Sequence, residues 1–330
     1  MMYQRQDARE YAQSHLRGVW AATPTPFTPN LRLDEAGLRR NLRHWLVDLQ
    51  IDGLFVCGKQ GEFFSMSVAE RKRVCELAVA AAREYDKPGA VMMSCSDQNL
   101  NTVLELASHA EQCGADYIVV HSPLLHFGEN IDSTVYEYYR YLSSRVGVGI
   151  VMWSHPDAGY LMSPETCARI AADCANVVAV KYSVPRAMYA ELTQMTRETL
   201  IVSSPSEADW LDNIIELGWR LYLCSAPPIL YQTRDDRRIR DYTALAFSGR
   251  HAEARQLRDS LEPVRQALTS SRPPGTPHAQ QKYWLELLGQ IGGPVRRPLL
   301  PLTDTERAQI RLAFESCGLS VRSAAVPPLT

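Results

Sequence analysis

Short apolar runs alternate with amphipathic stretches through the first two-thirds of this chain, and that alternation limits the available folds more than any other feature. The runs are Gly18 to Ala22, Gly53 to Val56, Ala90 to Ser94, Tyr117 to Val120, Val148 to Trp153, Val177 to Lys181, Leu200 to Ser203 and Arg220 to Cys224. Near-continuous apolar runs of this length read as strands buried on both faces of a parallel sheet. Helix signals lie between them. Asp34 caps a helix over Leu38 to Leu49, and Ser67-Val68-Ala69-Glu70 is a capping box opening a helix to about Tyr85. Further helices cover about Thr102 to Gln112, Ser133 to Ser144 and Ser206 to Leu217, and Ser163-Pro164-Glu165 starts another with proline at its first position. Eight strands with helices between them predict an α/β chain folded as a (β/α)8 TIM barrel. The alternative, a doubly wound open sheet, lacks a GxGxxG after the first strand.

The pattern changes after about Ala226. Tyr242 to Leu268 reads as helical with a break at Gly249, and Gln280 to Leu288 and Thr303 to Cys317 as further helices. The expected organisation is an N-terminal segment (1–16), the barrel (17–226), a C-terminal helical extension (227–318) and a disordered tail (319–330).

The formal net charge of −2 gives no electrostatic reason to expect a nucleic acid or an anionic membrane as partner. No apolar run approaches the ~18 residues a membrane helix needs, and the polar start lacks the apolar core of a signal peptide, so a cytoplasmic protein is expected. The eight cysteines form no CxxC pair and no zinc-type cluster with histidine; they read as reduced, mostly core thiols, and no metal is expected.

In barrels of this kind the chemistry sits at the C-terminal ends of the strands. The sixth run, Val177-Val178-Ala179-Val180-Lys181-Tyr182, ends there in a lysine. A lysine reaching out to solvent is one reading. The other is a partly desolvated amine of lowered pKa, able to attack a ketone and form a Schiff base. Gly58-Lys59-Gln60-Gly61-Glu62 follows the second strand as a tight glycine-flanked loop, a plain turn or a set of N–H groups converging on a carboxylate. Lys59 either points inward, adding charge beside Lys181, or outward as a solvated side chain. His121-Ser122-Pro123 ends the fourth strand and Trp153-Ser154-His155-Pro156 the fifth. Ser206, after the seventh strand, and Leu223, in the eighth, complete the candidate substrate-binding positions.

The succession Gly18-Val19, Thr25-Pro26-Phe27, Gly58-x-x-Gly61-Glu62, Lys181 and Val295-Arg296-x-Pro298-Leu299-x-Pro301-Leu302 resembles the dihydrodipicolinate synthase / N-acetylneuraminate lyase family over about residues 17–318. The resemblance implies a class I aldolase-type lyase, usually a homotetramer, that takes pyruvate or another 2-oxo acid as small-molecule substrate. It implies no cofactor beyond the covalent Schiff base, with Lys181 as nucleophile and Gly58, Gly61 and Glu62 in the carboxylate loop. The departures bear on function. The family loop usually carries two hydroxyl residues where Lys59 and Gln60 stand. Trp153-Ser154-His155-Pro156 replaces a Tyr-Asn-x-Pro motif whose tyrosine relays protons. A second tyrosine, supplied across subunits, is replaced within Pro123-Leu124-Leu125-His126, and an arginine for a second substrate's carboxylate falls at Ala158. These changes argue against dihydrodipicolinate synthase and sialic acid lyase activity. His126, His155, Tyr160 and Tyr182 are the nearest substitute acid–base candidates, and Trp153 is an alternative apolar wall favouring an aromatic or hydrophobic aldehyde. Dehydration, decarboxylation or deamination through the same imine, or a barrel that binds a 2-oxo acid without turnover, are the other outcomes these residues allow.

Overall fold

A computed structural model describes residues 3–87, 90–125, 129–275 and 277–319. Helix α1 (Ala8–His15) leads into β1 (Gly18–Ala22), and then strands and helices alternate: α2 (Glu35–Arg43), β2 (Gly53–Val56), α3 (Val68–Glu84), β3 (Val91–Ser94), α4 (Leu100–Cys113), β4 (Tyr117–His121), α5 (Ile131–Arg145), β5 (Gly149–Ser154), α6 (Pro164–Asp173), β6 (Val177–Tyr182), α7 (Arg186–Met195), β7 (Ile201–Ser203), α8 (Glu207–Leu217) and β8 (Leu221–Leu223). The strands pair in parallel in the order β7-β6-β5-β4-β3-β2-β1-β8. At the seam between β7 and β8, Ser203 Oγ accepts the N–H of Leu223 at 2.7 Å. This is a nearly closed eight-stranded barrel with helices between its strands. The expected TIM barrel is the fold.

Strand side chains alternate between two cores, as a period of two requires. Val19, Ala21, Leu54, Val56, Ile118, Val120, Ile150 and Met152 pack under the helices. Trp20, Ala22, Phe55, Met92, Tyr117, Val119, Val151, Trp153, Ala179, Leu221 and Leu223 fill the barrel interior. Helix α1 adds Ala8 and Ala12, and Leu16 follows at the next i+4 position, so one apolar stripe joins the interior core.

The helix starts obey local chemistry. Asp34 accepts the N–H of Gly37, and Ser67 with Glu70 forms the full capping box of α3. Helix α7 was not evident in the sequence because its apolar stripe is thin: Tyr189 and Leu192 are its buried residues. Beyond the barrel follow α9 (Pro227–Leu230), α10 (Arg238–Phe247), α11 (His251–Asp259), α12 (Glu262–Ser270), α13 (His278–Leu287) and α14 (Asp304–Ser316). Gly249 breaks the first long helical stretch in the left-handed region, at φ +79°, and a second break at Ser260 and Leu261 divides the remainder. Among the described residues no helix is long and apolar enough to cross a membrane. The expected tail beyond Leu319, like His126, lies outside the described residues.

Candidate active site

Register places four residues in one row at the C-terminal mouth of the barrel. His121 of β4 pairs with Trp153 of β5, Trp153 with Lys181 of β6, and Lys181 with Ser203 of β7. Each lies two residues beyond an interior-facing or interior-packed position, namely Val119, Val151, Ala179 and Ile201, so all four turn into the barrel.

Lys181 is 3% exposed. Its Nζ donates to Cys224 O at 2.9 Å and lies 5.0 Å from the Phe55 ring centre and 5.6 Å from that of Trp153. Burial disfavours the ammonium and pulls the pKa down from 10.5 to about 8, slightly opposed by Cys224. The amine therefore supplies a usable neutral, nucleophilic fraction near neutrality, with two aromatic faces to accommodate the ammonium that still predominates there.

The glycine loop packs against the segment after β1. A Cβ at Gly61 would come within 3.1 Å of Thr23 O and 3.2 Å of Thr25 Oγ1, and one at Gly58 within 2.9 Å of the Phe55 ring. Cys57 and Glu62 flank the loop at φ +56°, a strained region for residues with a Cβ. The N–H groups of Gly61, Glu62 and Phe63 turn back onto the Gly58 and Lys59 carbonyls, so those of Lys59 and Gln60 stand outside the loop's own bonding.

The C-terminal extension holds this loop. His278 Nε2 bonds Lys59 O at 2.7 Å, Lys282 Nζ pairs with Glu62 at 2.5 Å, and the N–H of Arg296 donates to Glu62 at 2.9 Å. Glu62, aligned with the family loop in the sequence, is fully buried and engaged in this tether.

A cavity of about 230 Å³ opens at the mouth. Phe63, Phe64, Pro123, Leu124 and Trp153 form its apolar walls; Lys59, Asp97, Gln98, His121, His155 and Asp157 are its polar side. Lys59 Nζ pairs with Asp157 across the mouth. Its ammonium thus faces a carboxylate, and the lowered pKa of Lys181 traces to burial. Trp153 is shared between the cavity and Lys181, and its Nε1 is buried with no hydrogen-bond partner among the described residues. Lys181, behind Trp153, is outside this lining, as are Gly58, Gln60, Gly61, Ser206 and Leu223. Ser206 precedes α8, and Leu223 is buried at the end of β8 facing the interior.

The substitute acid–base candidates separate clearly. Tyr182 Oη donates to Met162 O at 2.5 Å within the outer core, away from the mouth. Tyr160 Oη donates to Ser122 Oγ at 2.5 Å, and burial pushes its pKa up. His155 Nδ1 accepts the N–H of Asp157 at 3.2 Å. Burial lowers its pKa, Asp157 raises it, and Lys59, His121 and Lys181 lower it further. His121, visible in the sequence only as a strand end, is the histidine in the row with Lys181; counting by twos from Val119 would have found it.

Among the described residues no group of His, Cys, Asp and Glu is arranged to hold a metal ion. The model of the dihydrodipicolinate synthetase family matches residues 15–316. The 4-hydroxy-tetrahydrodipicolinate synthase of Bradyrhizobium diazoefficiens is 25% identical over 309 residues, covering 93% of this chain and 99% of that protein. The enzyme of the same name from Thermotoga petrophila is 27% identical over 310 residues, covering 92% and 99%. The crystal structure of dihydrodipicolinate synthase from Thermotoga maritima superposes with a TM-score of 0.79 at 26% identity, covering 93% of this chain and all of that one. YagE, an E. coli K12 prophage protein of the dihydrodipicolinic acid synthase family solved in complex with pyruvate, shares the fold with a TM-score of 0.80 at 22% identity, covering 92% and 99%.

Proposed function

This chain belongs to the dihydrodipicolinate synthetase family, and from that premise we propose that it is a Schiff-base-forming lyase of the class I aldolase type acting on pyruvate or another 2-oxo acid. The observation that carries the reading is Lys181, a buried amine of lowered pKa at the mouth end of β6. The neutral amine adds to the ketone, water leaves, and the protonated imine withdraws electrons from the neighbouring carbon. That withdrawal is what cleavage or condensation at C3 needs, so the reading calls for no metal or organic cofactor. The N–H groups of Lys59 and Gln60, free of the loop's own bonding, would receive the substrate carboxylate.

The second substrate, in this reading, is an aromatic or hydrophobic aldehyde. Phe63, Phe64, Pro123, Leu124 and Trp153 wall the cavity, and Ala158 stands where the family carries an arginine for a second carboxylate. The cation at the mouth, Lys59, is already paired with Asp157. A second anionic substrate would find little to neutralise it, whereas an aryl group would find flat apolar surface.

Borohydride reduction in the presence of pyruvate, followed by intact mass and peptide mapping, tests the first half; the expected adduct is on Lys181. A panel of aldehydes of graded size and charge tests the second half. No adduct with pyruvate or any longer 2-oxo acid would overturn the lyase reading. A preference for anionic aldehydes over benzaldehyde-like ones would overturn the choice of partner alone.

A further inference from the structure

We propose that His121 is the proton carrier of this site, the base that takes the hydroxyl proton during carbon–carbon cleavage and returns it to the substrate carbon. The inference rests on the 2-oxo acid lyase reading and adds a residue to it.

Three observations carry it. The first is position: His121 lies in the same row of the barrel mouth as Trp153 and Lys181, turned inward, and lines the cavity. The second is the state of the ring. Nδ1 lies 2.7 Å from Ser122 O. A carbonyl only accepts, so in the neutral ring the hydrogen is on Nδ1 and Nε2 is the nitrogen left to take a proton, with the His155 carbonyl beside the ring favouring the protonated form. The ring stands edge-to-face on Trp153 with centres 5.1 Å apart, and together with the Nδ1 bond to Ser122 O this fixes the imidazole on two sides, while the backbone N–H of His121 donates to Ser96 Oγ at 2.9 Å. The third is elimination: Tyr182 points into the outer core, Tyr160 is bonded to Ser122, and His155 Nδ1 is taken by Asp157.

The surroundings suit a reversible carrier. Burial holds His121 below the usual histidine range, so the base form is present at neutral pH. The carbonyls of Ser122 and His155 and the Asp157 carboxylate favour the cation, while Lys59 opposes it. A proton accepted by Nε2 is therefore tolerated and still released.

The step balances without another reactant. The imine-bound adduct gives its hydroxyl proton to Nε2. The carbon–carbon bond breaks, its electron pair flows into the protonated imine to leave an enamine, and the freed oxygen becomes the aldehyde carbonyl. The imidazolium then returns the proton to the terminal enamine carbon, restoring the protonated imine for hydrolysis.

The test compares wild type with His121→Asn, which keeps a donor for Ser122 O but has no titrating base, and with His121→Gln in case the first variant misfolds. Two quantities are read: borohydride trapping of pyruvate on Lys181 at saturation, and exchange of the pyruvate methyl hydrogens in D2O by NMR. Trapping is expected to persist in the variants while exchange falls ~100-fold or more. Exchange per trapped imine, which takes out the protonation of Lys181 itself, is expected to decline in the wild type as pH falls to the acid side of the ordinary histidine value, and to be flat there in the variant. Exchange unchanged in a folded variant overturns the proposal, and so does a flat wild-type profile, which needs no variant. Absence of trapping in wild type overturns the lyase reading itself, so the two failures are told apart.

Discussion

Lys282 Nζ lies 2.5 Å from Glu62 Oε1, and the two side chains are 2% and 0% exposed. The pair joins helix α13 to the glycine loop beside β2. The Lys282 ammonium also donates to Pro294 O at 2.8 Å and sits 4.3 Å above the Phe27 ring. Burial lowers the Lys282 pKa and the Glu62 carboxylate raises it, so the lysine's charge depends on its partner. Lys282→Met leaves a buried carboxylate without its cation and is expected to destabilise the fold by about 3–5 kcal/mol. Lys282→Met combined with Glu62→Gln is expected to recover most of that loss. Urea unfolding of Lys282→Met, Glu62→Gln and the double variant checks it; additive losses in the double variant would mean the two groups do not act as a pair.

That pair marks the limit of what the sequence makes legible. Strand positions, the Ser67–Glu70 capping box and the strand-end Lys181 depend on neighbours within a few residues, and all three appear in the structure as expected. The tether from His278, Lys282 and Arg296 to the glycine loop joins residues more than two hundred positions apart. No local pattern encodes it: His278 and Lys282 read in sequence as ordinary polar helix or loop residues, and Arg296 only as one position of the Val295–Leu302 motif. His121 is intermediate: its inward direction follows from strand periodicity, but its neighbours in the row follow only from register.

Lys181 carries a stability cost that its chemistry requires. Its folded-state pKa is about 8, against about 10.4 in an unfolded chain. The unfolded state therefore binds more protons between those values, and stability rises with pH across that window. The penalty is fully present below about 8 and amounts to about 3 kcal/mol. Lys181→Met removes it while losing the bond to Cys224 O, worth about 1 kcal/mol. The variant is expected to be inactive and about 1–3 kcal/mol more stable than wild type at pH 7, with the difference shrinking by pH 10. Denaturation midpoints at the two pH values measure this; a variant less stable at pH 7 would contradict a desolvated ammonium at this position.

Lys59 separates two origins of the lowered amine pKa. If its ammonium acted on the nucleophile, removing it would raise the pKa of Lys181. Lys59 Nζ instead pairs with Asp157, and both side chains are substantially exposed, where charge effects are screened. Lys59→Ala is expected to leave the pH midpoint of adduct formation near 8 and to change stability by less than about 1 kcal/mol. A midpoint shifted upward would give Lys59 a direct electrostatic role.

Trp153 is the wall through which cavity and nucleophile meet. Its ring centre is 5.6 Å from Lys181 Nζ, its face closes the cavity, and its Nε1 has no partner among the described residues. Removing the indole admits water to the amine, and hydration favours the ammonium. Trp153→Ala is therefore expected to move the midpoint of adduct formation upward from about 8 toward the ordinary lysine value of about 10.4. Loss of the buried ring should also destabilise the fold by about 3–5 kcal/mol. Trp153→Phe keeps an apolar wall without the N–H, so its midpoint should stay near that of wild type. Its affinity for aryl aldehydes separates surface from hydrogen bonding: unchanged affinity assigns Trp153 to apolar contact, and a clear loss assigns its N–H to the substrate. Rates of borohydride trapping across pH, for both variants, decide the electrostatic part, and a midpoint unmoved in Trp153→Ala would mean that Phe55 and the barrel interior alone keep the amine dry.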